Sequence, residues 1–321
     1  MGITRREWLA GSMALVASSS LAQSYPSRPI KLVSPFAPGG GTDILGRLIA
    51  PKLGELLGGT MIVENRAGAG GNVGAQAVAR SEPDGYTLLM GVNSYTINAH
   101  LQKNVPFDMK KDFTPIGMVA TSPFLVVVNP SVPAKTIQEF VAYAKANPGK
   151  LNYGSAGAGT APHLAGELFK LRAGIDMTHV PYQGSGPNVT GLLRGDVQMS
   201  AIAMNSIEGF LGSNDVRVLA IMSPNRIAKL PDVPTLAESG IPDVNVDLWY
   251  ALFAPPALPS NLLTGINGAL KKALADPEVA TSFAKAGYLP AYSTSEQLAT
   301  IVDADLTRWK DVIDKAKLRN D

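Results

Sequence analysis

From residue 25 onward, short β-branched runs alternate with segments whose apolar residues recur every three to four positions. This rhythm belongs to α/β proteins. Ile30 to Val33 predicts a strand. Thr42 predicts a helix cap, followed by Ile44, Leu45, Leu48, Ile49, Leu53, Leu56 and Leu57 along one helical face, and Met61 to Val63 predicts the next strand. A helix over Val73 to Val78 and a strand over Tyr86 to Met90 follow. Phe124 to Val128 is apolar at every position, as in a strand covered on both faces, and Asn129-Pro130 ends it. Beyond it the pattern predicts helices over Thr136 to Ala146, Pro162 to Leu171 and Gly186 to Leu193. Strands are predicted over Leu151 to Tyr153, Met177 to Val180, Val197 to Ile202, Arg217 to Ile221 and Val246 to Phe253. The remainder reads as helix, with Ser293 and Glu296 as a capping box ahead of the stripe Leu298, Ile301, Val302, Leu306, Trp309 and Ile313. The strands near residues 124 and 250 are the crossing points between two α/β lobes, and a ligand is expected between them at the carboxyl ends of the strands.

The chain of 321 residues carries 28 Lys+Arg against 26 Asp+Glu, too even a balance to hold a nucleic acid. It has no Cys, which removes disulfides, thiolate metal sites and Cys nucleophiles. Residues 1–22 read as an export signal: Arg5 and Arg6, a mildly apolar Leu9 to Leu21, and Ser20-Leu21-Ala22 for cleavage. Thr4 to Leu9 approximates a twin-arginine motif. The mature protein is therefore expected to be exported.

Two glycine loops carry the candidate chemistry. Pro35 to Asp43 and Gly154 to Thr160 each join a strand to a helix start, where backbone N–H groups are free for an anion. Gly149-Lys150 is followed by Leu151 rather than the Ser or Thr of a P-loop, Val73 breaks the dinucleotide fingerprint in Gly68 to Gly74, and no cofactor motif is present. His100, His163 and His179 lack metal-ligand spacing. Asp43 is either a general base or, as its place behind Thr42 favours, an acceptor that stiffens its loop. Trp249 is either core or a ligand-stacking ring. An exported hydrolase using Ser155 or Ser185 with His163 or His179 would need a Ser Oγ and a His nitrogen within about 3.2 Å in the cleft.

The collinear motifs Tyr25 to Ile30, Pro35 to Asp43, Val63 to Arg66 with Gly68 to Gly74, Pro83 to Leu88, Asn152 to Gly157 with Gly159-Thr160, His163 to Phe169, Val180 to Tyr182 and Leu230 to Thr235 resemble the Bug family. These are the periplasmic solute-binding proteins of tripartite tricarboxylate transporters. The resemblance implies a type II periplasmic-binding fold, with lobe one at 25–124 and 249–321 and lobe two at 125–248. It also implies no catalysis, a small carboxylate ligand and a membrane permease as partner of a monomeric receptor, one serving chemosensory signalling being the same in sequence. It implies a site at Phe36, Gly40, Gly41, Thr42 and Asp43, at Asn93 and Ser94, and at Ala158, Gly159 and Thr160, with His163 and Tyr182 from the matched motifs. Where relatives carry a polar pair, this chain has Ala201-Ile202-Ala203-Met204. Either Ile202 and Met204 line the cleft and make that wall apolar, favouring a carboxylate with an aliphatic or aromatic body over an amino acid, or the run is simply buried strand.

Overall fold

The computed structural model describes residues 25–244, 246–316 and 318; the export signal expected over residues 1–22 lies outside them. The first part of the chain alternates as anticipated through β1 (Ile30–Ser34), α1 (Gly41–Leu57), β2 (Met61–Asn65), α2 (Asn72–Ala79) and β3 (Thr87–Val92), and a helix the pattern does not predict, α3 (Ser94–Leu101), follows. Then comes β4 (Thr114–Val128), three times the length of the strand its apolar core predicts. The middle consists of α4 (Ile137–Ala146), β5 (Asn152–Ser155), α5 (Ala161–Ala173), β6 (Thr178–Pro181), α6 (Ser185–Arg194), β7 (Met199–Ala203), the single turn α7 (Met204–Ile207) and β8 (Arg217–Ile221). The chain ends with β9 (Asp247–Ala254), α8 (Ser260–Leu274), α9 (Pro277–Lys285), the short β10 (Leu289–Pro290) and α10 (Ser295–Ala316).

The strands run in the order β2-β1-β3-β9-β4-β7-β5-β6, with β8 and β10 also on β4. β1 is parallel to β2 and β3, whereas β9 lies antiparallel to β3 and β4. β4 joins the two halves. Its residues up to Pro123 pair with β9, Phe124 to Val128 pair with β7 on one side, and Leu125 to Val128 pair with β8 on the other. Pro115 and Pro123 fit because they fall at the ends of the β9 pairing, and the register slips just after Pro115.

Both halves are covered on both faces. Leu88 and Met90 pack with Leu45, Ile49 and Leu53 of α1, while Leu89 between them joins Tyr95, Phe107 and Phe253 on the opposite face. Across the boundary, Val126 and Val128 face a core with Phe140, Phe169 and Trp309, and Leu125 and Val127 face Leu192 and Ile207. α10 spans both halves: Leu298 and Val302 belong to a core of the first, Trp309, Val312 and Ile313 to a core of the second.

Three local expectations are corrected. Gly40, not Thr42, is the N-cap of α1, because Thr42 lies inside the first turn and its Oγ1 is 2.8 Å from Ser34 Oγ. The capping box of α10 is Thr294 with Gln297, which exchange main-chain-to-side-chain bonds at 3.2 and 2.9 Å, and Ser293 Oγ instead accepts the Met118 N–H at 3.0 Å. Asn93 and Ser94, where the resemblance implies a polar ligand loop after the strand ending at Met90, instead open α3.

Candidate functional site

A cavity of about 660 Å³ lies between the halves, at the carboxyl ends of β1, β3, β5 and β6, and the helix that follows each of these strands begins on its wall. The first wall is the loop Phe36 to Gly40 and the start of α1. No side chain caps this helix, so the N–H groups of Gly41 and Thr42 in its first turn keep no partner within the helix. The loop is fixed from behind. Asp43 accepts the Gly39 N–H at 2.9 Å and Arg47 Nε at 2.9 Å; Arg47 reaches Asn65 Oδ1 at 3.2 Å, and Asn65 Nδ2 donates to Phe36 O at 3.1 Å. Desolvation raises the Asp43 carboxyl, but the bonds from Arg47, Gly39 and Asn65 outweigh it and hold the group below the usual carboxylate range.

The opposite wall is the loop from Ala156 to Thr160. Thr160 Oγ1 donates to Gly157 O at 2.7 Å, and His163 Nδ1 accepts the Gly159 N–H at 3.0 Å. Gly159 has φ +75° and sits against Leu101 of α3, so it must be glycine for conformation and space alike. α5 then starts with Ala161 and Pro162, and α6 starts beside it with Ser185 and Gly186, both uncapped.

Between these walls lies the start of α3. Asn93 is fully buried and its Nδ2 donates to Asp247 O at 3.0 Å, yet its Oδ1 and the Ser94 Oγ find no hydrogen-bond partner among the described residues. Leu248, Tyr250, Ala286 and Tyr288 complete the lining with Asn205 and Ser206. Asn205 links the halves: its Nδ2 donates to Tyr288 OH at 3.1 Å and its Oδ1 accepts from Ser122 Oγ of β4 at 2.9 Å.

None of the lining residues carries a charged side chain. Four helix N-termini with uncapped first turns, those of α1, α3, α5 and α6, supply the positive potential instead. Such an arrangement suits an anion, and the lining carries no carboxylate or imidazole. Among the described residues no group of three or more His, Asp or Glu could hold a metal ion, and no helix is long and apolar enough to cross a membrane.

Of the residues singled out from the sequence, Phe36, Gly40, Gly41, Thr42, Asn93, Ser94, Ala158, Gly159 and Thr160 meet around this one cavity. Asp43 and His163 stand behind the two loops and shape them. Tyr182 packs over Gly191, away from the lining, and Ile202 and Met204 are core residues beside Leu192 and Ile207. The wall assigned to Ile202 and Met204 is made by the polar Asn205 and Ser206, because β7 ends at Ala203 and the following turn brings the next residues to the cavity. Trp249 is buried and donates to Asp305 Oδ2 at 2.6 Å. As cavity-lining residues, sequence reading missed Gly186, Asn98, Gln102, Asn205, Ser206, Tyr250 and Tyr288, as well as Ser185, which it weighed only as a nucleophile. Gly184-Ser185-Gly186-Pro187 had the same strand-to-helix signal as the two loops, whereas nothing local marks Tyr288.

The distance asked of a hydrolase does occur, since Ser155 Oγ lies 2.7 Å from His179 Nε2. It occurs outside the cavity. Ser155 is fully buried, neither residue lines the cavity, and the His179 ring stacks on His163 rather than meeting a carboxylate.

The fold and site define a ligand-binding protein of two α/β halves. The family model described as the tripartite tricarboxylate transporter family receptor, TctC, matches residues 45–318, and the chain belongs to this family. Among the solved structures similar to it are the following three. The periplasmic binding protein BugD is 31% identical, with a TM-score of 0.79 over 92% of this chain and 100% of its own. An R. palustris protein solved with adipate is 32% identical, with a TM-score of 0.81 over 91% and 98%. MatC from Rhodopseudomonas palustris, solved with bound malate, is 32% identical, with a TM-score of 0.77 over 90% and 100%. The fold is thus that of the α/β periplasmic binding proteins, and the family consists of solute-binding proteins, not enzymes.

Proposed function

We propose that the protein is a monomeric periplasmic receptor that captures a small organic carboxylate and delivers it to the membrane permease of a tripartite tricarboxylate-type transporter. The observation that carries this reading is a cavity without charged side chains at which four helix N-termini converge. The carboxylate is held by the N–H groups of Gly41 and Thr42 from one half and those at the start of α5 and α6 from the other, with Ser94 Oγ as a further donor. Phe36, Ile44, Val92, Leu248, Tyr250 and Tyr288 receive an aliphatic or aromatic body. An amino acid is disfavoured because its ammonium finds no counter-charge on these walls. The adipate and malate in the similar structures accord with this class of ligand. Residues 25–124 with 249–321 form one lobe and 125–248 the other, and the ligand stabilises their closed arrangement by touching both. Residues 1–22 direct export and are removed.

A thermal-shift panel of aliphatic and aromatic mono- and dicarboxylates, amino acids and amines tests the reading. A ligand at a hundred times its Kd adds about 2.7 kcal/mol to stability, an easily read rise in Tm. Carboxylates are expected to give it. A rise with amines alone, or with none of these solutes, overturns the proposal.

A further inference from the structure

The loop on the second wall takes its shape from two histidines behind it. His163 Nδ1 accepts the Gly159 N–H at 3.0 Å, and the His163 ring lies on that of His179 with centroids 3.9 Å apart and planes 15° from parallel. His179 Nε2 is 2.7 Å from Ser155 Oγ, which in turn accepts the Gly157 N–H at 3.1 Å. The main-chain donors of two loop glycines, Gly157 and Gly159, therefore end on acceptors that are, or lean on, an imidazole.

This geometry sets the protonation state. A ring nitrogen that accepts a main-chain N–H carries no proton itself. Two imidazoles stacked at 3.9 Å cannot both be charged without strong repulsion. The charged and titratable groups that face the pair are Glu167 and Lys170 on α5 and Tyr153 on β5, whose ring stacks on His179 at 4.9 Å. Glu167 is engaged by the Tyr153 hydroxyl and by Lys170 Nζ at 2.9 Å, so it gives neither imidazole a hydrogen bond that would hold a proton there.

We propose that the stacked His163–His179 pair positions the second ligand loop and acts as an acid-sensitive latch: protonation of His163 at Nδ1 turns the acceptor of the Gly159 N–H into a second donor, and the segment from Gly157 to Thr160 lets go. Burial is the largest cause holding both rings below the ordinary histidine range, aided for His179 by repulsion from His163; His179 is brought down to about 4. The latch is thus closed at neutral pH and opens in acid. That acid would weaken ligand capture rests on the reading that this loop holds the carboxylate. The behaviour of the loop does not.

The test uses the ligand-free protein. Amide hydrogen exchange at Gly159 and the ring resonances of His163 and His179 are followed by NMR from pH 8 to pH 4, with exchange corrected for its intrinsic pH dependence. Three proteins are compared: the unaltered chain, His163→Asn, whose side-chain oxygen can accept the same N–H but does not titrate, and His163→Leu. In the unaltered chain the protection of Gly159 should fall about tenfold as His163 titrates, the loss of one hydrogen bond. His163→Asn should keep the protection seen at pH 8 down to pH 4, and His163→Leu should lack it throughout. Protection that stays flat while His163 titrates, full protection in His163→Leu, or a His163 ring that titrates at or above the ordinary 6.5 overturns the proposal. Because no solute is present, this result and the thermal-shift panel can fail independently.

Discussion

At the scale of single residues, the site depends on how closely main chain approaches side chain. A methyl group on Gly41 would land on the Tyr250 hydroxyl and within 3.0 Å of Tyr250 Cζ. Tyr250 has little room to yield, because it is buried in β9 with its ring edge-on to Tyr288 at 5.4 Å. Gly41→Ala is therefore expected to cost about 1–3 kcal/mol in urea unfolding and to weaken carboxylate binding about tenfold or more in titration calorimetry. Adding Tyr250→Phe, which removes the atom nearest the methyl, should recover part of both. Gly159→Val is a poorer probe, since its positive φ and Leu101 would make strain indistinguishable from lost ligand contact. Asp43 gives a second prediction. Its carboxyl titrates lower in the folded chain than in the unfolded one, so its contribution is full above the unfolded value near 3.9 and is lost as the pH falls below it. Asp43→Asn should cost about 1–3 kcal/mol at pH 7 and flatten the acid limb of the stability profile. A histidine held low has the same sense of pH dependence over a higher range. His163 and His179 favour the folded state above 6.5 and withdraw that support as acid protonates the unfolded chain first.

At the scale of elements, amphipathic stripes were legible and irregular joins were not. The termini of β8 agree with its apolar run, and α4 begins directly after Thr136, whose Oγ1 accepts the Glu139 N–H at 3.2 Å. α3 gave no signal, because its eight residues mix Asn, Ser and Thr with apolar positions and are buried on nearly every side. Its burial comes from partners far off in sequence, including Leu101 against Gly159. Likewise β4 was visible only where it is apolar throughout, since Pro115, Gly117 and Pro123 read locally as breaks. α10 illustrates what a stripe leaves undecided. Its spacing showed which face is buried, but not that one end would enter a core of the first half and the other a core of the second. Trp309 is fully buried in the latter. Trp309→Ala should lower unfolding stability by about 3–5 kcal/mol, measured by urea denaturation with circular dichroism as the readout.

At the scale of the whole molecule, the halves share β4, are held by Asn205 bonds to Ser122 and Tyr288, and are spanned by α10. Small-angle scattering should show a smaller radius of gyration when a carboxylate identified by thermal shift is added. Tight binding without contraction would mean that the free receptor is already closed. The +2 formal charge of the chain plays no part in this, because the potential at the cavity comes from oriented main-chain dipoles rather than from side-chain charge.

The sequence alone determined the α/β rhythm, the anion-competent glycine loops and the family likeness, since each is a property of neighbouring residues: apolar period, turn chemistry, and main chain left open by the absence of Cβ. Which groups would share one cavity was decided only in three dimensions. Asn205, Tyr250 and Tyr288 reach it from separate stretches because the two halves of the sheet meet on a common strand. Ile202 and Met204 left it because a strand end fixes which side chains turn inward. His163 took its place behind the loop from Gly157 to Thr160 through tertiary structure too: its surroundings depend on a ring, His179, that only the parallel pairing of β5 with β6 brings alongside.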